Sequence, residues 1–171
     1  MTQITPRGGA GADVIPIGEA PSAARVPSQA PVRSAALGRV GVLLVSHSRE
    51  LAEDTADLAR SLAPTDDPSA VAATGGHRGE GLGGSALLIA AAARRVDQGH
   101  GVAVLADLPG PVHTVLALIA AADEHGLPFP VRFADAPFVE GAVAAVATAS
   151  AGGDLAAVVD AAEEAYRQRK V

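Results

Sequence analysis

The run RVGVLLVS, residues 39–46, is apolar at nearly every position and then stops at a histidine. It shows no alternation of apolar and polar residues, so neither face of the strand it forms can be turned to water. Strands buried on both faces belong to the interior of a parallel sheet, and parallel strands need crossover segments, usually helices, to connect them. That one stretch therefore restricts the chain to layered α/β architectures.

The rest of the sequence supplies the crossovers. Ser48 is placed to cap a helix in which Leu51, Thr55, Leu58 and Leu62 recur at helical spacing, and Pro64 ends it. A weaker strand is expected over 69–74. A glycine-rich loop, GGHRGEGLGG, then leads into an alanine-rich helix over about 85–97. A third strand reads GVAVLADL (101–108), followed by PGP and a helix burying Val112, Val115, Leu116 and Ile119. VRFADA (131–136) is a fourth strand. Two closing helices follow, about 138–150 and 154–169, the second with Leu155, Val158, Val159, Ala162 and Tyr166 along one stripe. Strands alternating with helices predict a doubly wound, mainly parallel sheet of about four strands with helices on both faces.

Residues 1–38 read differently. Five of the 12 prolines are scattered through them among Gly, Ser and Ala, with no apolar periodicity. This stretch is expected to be a disordered leader, with the folded domain over residues 39–171.

Gross composition excludes several functions. The formal charge of −6 disfavours nucleic acid or an anionic membrane as a partner. The absence of cysteine removes disulfides, thiolate metal sites and thiol catalysis. No apolar run reaches the roughly 18 residues needed to span a bilayer, and the N-terminus lacks a signal pattern, so a cytoplasmic location is expected.

Chemistry in doubly wound sheets gathers beyond the carboxyl ends of the strands, where strand order reverses. His47 lies just past the first strand and Asp107 just past the third. With a strand order of 2-1-3-4, those strands are neighbours and the two side chains face one crevice. The amides of Ser48, Arg49 and Glu50 open a helix beside the ring and could cradle an anion, with the hydroxyls of Ser46 and Ser48 as further donors. An imidazole beside an anion pocket suits reversible phosphorylation, with Asp107 holding the other ring nitrogen. The remaining histidines carry weaker signals. His77 falls in the glycine loop, which matches no nucleotide-binding pattern. His100, His113 and His125 lack metal-like spacing, and there is no HExxH. Glu53, Asp54 and Asp57 read as the wet face of the first helix, and RQRK near the end as a basic helix terminus.

Four segments in order, LLVSHSRELAEDTADLA, GGSALLIAAAARRV, GVAVLADL and DAPFVEGAVAAVATASAGGDLAAVVDAAEEA, resemble the phosphotransferase subunits of phosphotransferase-system (PTS)-dependent dihydroxyacetone kinases, within the mannose-type enzyme IIA group. The resemblance spans about residues 39–166. It implies a sheet of order 2-1-3-4, a phospho-acceptor at His47 and a partnering aspartate at Asp107. The phosphate environment is expected to be Ser46, Ser48, Arg49 and Gly110, with the segment 138–141 near the pocket or a subunit contact. Proteins of this kind take phosphate from phospho-HPr and pass it to ADP on the nucleotide-binding subunit of the kinase. They need no metal or other cofactor of their own, and they are often homodimers. A mannose-type sugar-transport IIA would share the chemistry with another acceptor. One departure stands out: where the family has an aspartate, an apolar residue, a glycine and a serine, this chain reads DLPGP (107–111). Pro109 and Pro111 lack an N–H, and Gly110 stands at the serine position. Either proline simply starts the next helix, or the site has become that of a regulatory or ligand-binding domain.

Overall fold

Residues 38–76 and 86–168 are described by a computed structural model. The leader, His77 and most of the glycine-rich loop lie outside the described residues, as do the last residues of RQRK.

The run that constrained the fold becomes β1 (Gly41–Ser46), every residue of which is buried. It lies at the centre of a four-stranded sheet of order β2-β1-β3-β4, with β2 over Val71–Gly75, β3 over Val102–Ala106 and β4 over Val131–Phe133. All pairings are parallel. The doubly wound α/β fold expected from the sequence is the fold of the chain.

Because side chains alternate along a strand, each strand contributes to two cores. Val42, Leu44, Ala103 and Leu105 face one core, closed by α1 (Arg49–Ser61), α5 (Phe138–Ser150) and α6 (Leu155–Glu164). Leu43, Val45, Val102 and Val104 face the other, closed by α2 (Ala86–Val96) and α3 (Pro109–Ala120). A short α4 (Ala122–His125), absent from the sequence reading, follows α3.

Three expected helix faces are corrected. In α1 the buried stripe is Ala52, Thr55, Ala56 and Ala59, while Leu51, Leu58 and Leu62 are exposed. Alanines at this spacing let α1 approach the sheet and α5 closely, which a leucine stripe would prevent. In α3 the buried residues are Pro111, Val115 and Leu118, and Leu116 is exposed. At the end of α6 the chain tightens into a 3₁₀ turn, Ala165–Arg167. Its three-residue period takes Tyr166 out of phase with Leu155, Val158, Val159 and Ala162, so Tyr166 is exposed and its hydroxyl reaches Asp135 at 3.4 Å. The fourth strand also stops at Phe133, short of the expected Ala136. Beyond it the amide of Asp135 donates to Glu163, in a hydrogen bond of 3.3 Å outside the ladder.

Candidate functional site

Strand register decides what meets at the carboxyl edge of the sheet. β1 and β3 pair with Val45 opposite Ala106, and the Asp107 amide still donates to the Val45 carbonyl at 3.3 Å. Ser46 and Asp107 therefore stand side by side, one residue further along each strand. Both share the parity of Leu44 and Leu105, so both side chains point to the α1 side of the sheet. A one-residue slip in either strand would send one of them to the opposite face.

The resulting contacts are dense. Asp107, with only 6% of its side chain accessible, accepts from the His47 backbone amide at 3.2 Å on each oxygen. Its Oδ2 also makes a short contact with His47 Nδ1 and accepts the Ser46 hydroxyl at 2.7 Å. A carboxylate can only accept, so the neutral imidazole carries its hydrogen on Nδ1 and keeps the Nε2 lone pair. The His47 ring is 39% accessible, the open member of a buried arrangement.

The turn after His47 is built for a helix start. Ser48 is the N-cap of α1: its backbone is extended, and its Oγ accepts the Leu51 amide at 3.3 Å. The same hydroxyl donates to Glu50 at 2.9 Å. The open anion cradle expected here is corrected. The Ser48 amide donates to Ser46 Oγ at 3.0 Å, and the Arg49 amide donates to the Gly76 carbonyl at 3.3 Å. Ser46 is corrected too: it is wholly buried, and its hydroxyl hydrogen points to Asp107 rather than into an open pocket. The Arg49 side chain differs, because its Nε is buried with no hydrogen-bond partner among the described residues.

Gly75 went unnoticed as a site residue. A Cβ there would fall 2.8 Å from both the Arg49 amide nitrogen and the Ser46 carbonyl oxygen. The end of β2 thus presses against the backbone of the His47 turn, and only a residue without a side chain permits it. The paired glycines at the end of a strand were the available signal.

On the β3 side, α3 begins at Pro109, with Leu108 as a cap that makes no side-chain hydrogen bond. Proline stands at the start of the helix here, where its missing N–H costs little. Gly110, in that first turn, is the one residue of Pro109–Pro111 that retains an N–H. The start of α5 rests on the end of β3, where a Cβ on Gly141 would lie 2.7 Å from Ala136 and 3.1 Å from Leu105. His100, His113 and His125 are exposed, and among the described residues no group of three His, Cys, Asp or Glu could hold a metal ion. No helix among them is long and apolar enough to cross a membrane.

Residues 41–159 match the family EIIA-man, described as the PTS system fructose IIA component. The chain belongs to this family. The IIA components of the PTS relay phosphoryl groups received from HPr-type proteins, through a histidine. No curated protein matches the sequence. Among solved structures, the chain is similar to one titled "Crystal structure of unknown function protein EF1359", at 23% identity and a TM-score of 0.59, over 74% of this chain and 94% of that one. That likeness concerns the fold.

Proposed function

We propose that this EIIA-man member is a cytoplasmic histidine phosphocarrier, with His47 as the phospho-acceptor and dihydroxyacetone kinase as its destination. The observation that carries the reading is the buried Asp107 carboxylate on Nδ1, which leaves the lone pair on Nε2 of a ring open to a partner. In the first step Nε2 attacks the phosphorus of phospho-HPr. The new P–N bond forms as the donor's P–N bond breaks, and the donor imidazole leaves. The charge that develops on the His47 ring is stabilised by Asp107 through Nδ1–H. In the second step a terminal oxygen of ADP, held on the nucleotide-binding subunit of the kinase, attacks the same phosphorus. ATP forms and the neutral ring is restored. The amino end of α1 favours the transferred anion, by about 0.3–1 kcal/mol at an exposed site. Arg49, whose Nε has no partner among the described residues, and the Gly110 amide complete the phosphate environment.

The dihydroxyacetone branch rests on the sequence resemblance, above all APFVEGA, which here forms the start of α5 against the end of β3. A sugar-transport IIA is the second reading, favoured by the fructose description of the matched family. Homodimer formation belongs to the proposal as well.

The test is intact mass after incubation with phosphoenolpyruvate, enzyme I and HPr. The wild type is expected to gain one acid-labile phosphoryl group and His47→Ala none. Equal gain by both sinks the assignment of His47, and no gain by either sinks the phosphocarrier. Chasing the labelled protein with the ADP-loaded kinase subunit and dihydroxyacetone then separates the two acceptors.

A further inference from the structure

The geometry points to Ser46 as a positioning residue that sets the tautomer of His47 by holding Asp107. This inference rests on the phosphocarrier reading and deepens it. The assignment of hydrogens is forced by chemistry. Asp107 can only accept, so the 2.7 Å bond is donated by the Ser46 hydroxyl. The Ser48 amide can only donate, so at 3.0 Å the same oxygen is its acceptor. One buried hydroxyl thus connects the carboxylate that touches the imidazole to the amide that opens α1. Ser46 has no accessible surface, so water cannot replace either bond. Oδ2 receives both the Ser46 hydroxyl and Nδ1, and the hydroxyl, together with the His47 amide, sets the rotation of the carboxylate about its χ2 axis. Without it the carboxylate is held by the His47 amide alone, the Ser48 amide loses its acceptor, and the contact that keeps the ring hydrogen on Nδ1 is loosened. A free imidazole prefers that hydrogen on Nε2, the atom that has to attack phosphorus.

The test reads the unphosphorylated ring directly, by nitrogen-15 NMR of histidine-labelled protein, beside the rate of phosphate uptake from phospho-HPr. Two variants are used: Ser46→Ala and Ser46→Cys, the latter conserving bulk while weakening the donor. In both, the His47 nitrogen shifts are expected to move from the Nδ1–H pattern toward a mixture with Nε2–H. kcat for uptake should fall about tenfold, the scale of one hydrogen bond to a charged group, with KM for phospho-HPr unchanged. A folded Ser46→Cys with wild-type shifts and wild-type kcat would overturn the inference, whatever the fate of Ser46→Ala. A rise in KM with kcat intact would overturn it too, by making Ser46 part of the docking surface. Should the wild type take up no phosphate at all, the functional reading fails, and the nitrogen shifts still decide the role of Ser46.

Discussion

The two strand-to-helix turns that meet at the site solve the same problem in opposite ways. After β1, Ser46–Arg49 ties most of the polar groups it turns inward, a buried hydroxyl to a carboxylate, one amide to that hydroxyl, another to Gly76, and a serine cap to Leu51, and leaves Arg49 Nε without a partner among the described residues. After β3, Asp107–Pro111 contributes a single carboxylate and then starts its helix with a proline and no side-chain cap. Removing donors with proline is as effective as pairing them, since a missing N–H cannot be left unsatisfied. The first is rigid and polar around the imidazole, while the second delivers one group to it.

That asymmetry can be broken from either side. The largest effect is expected from Asp107→Asn, which keeps the shape of the side chain and removes its charge. Phosphate uptake by His47 should slow at least about a hundredfold, or about 2.7 kcal/mol, measured by quenched-flow with phospho-HPr. A loss under threefold would mean that the β3 turn contributes nothing to the transfer. Next comes Gly75→Ala, whose Cβ meets backbone on two sides. It should lower stability in urea by roughly 1–3 kcal/mol and shift the amide resonances of residues 46–49, and an unchanged midpoint would show that the β1 turn gives way easily. Ser48→Ala removes the cap of α1 and should cost about 1 kcal/mol by the same measurement. The smallest effect belongs to Pro109→Ala. At the first helical position proline and alanine differ little, so stability should stay within about 0.5 kcal/mol and the uptake rate should not change. A clear rise in rate would show that the missing amide limits the site.

Much of this architecture was legible in the residues. The parallel sheet followed from RVGVLLVS and the regular crossovers, and α5 begins and ends where its pattern does. Ser48 reads as a cap because a serine after a strand and before an apolar stripe has few other local uses. Harder to read was the direction each helix faces. Leu51, Leu58 and Leu62 form the more apolar stripe of α1, yet the alanine face is buried. Small residues win there because a close approach buries more backbone and neighbouring surface than a leucine held at a distance. Ser46 was misread for a related reason: a serine beside a histidine is an open donor only if nothing else takes its hydrogen.

The sequence by itself determined what is local. It set the strands and helices, the cap at Ser48, the proline start at Pro109, and a histidine at the end of a buried strand. All of these depend on dihedral preferences and patterns within a few residues. The sequence also pointed to Asp107, 60 residues away, as the partner of His47; only the tertiary structure decided that Ser46 serves that carboxylate and that Gly75 must lack a side chain. Those facts depend on parallel register and on how closely neighbouring backbones approach, and both are settled only when the two cores pack against the sheet.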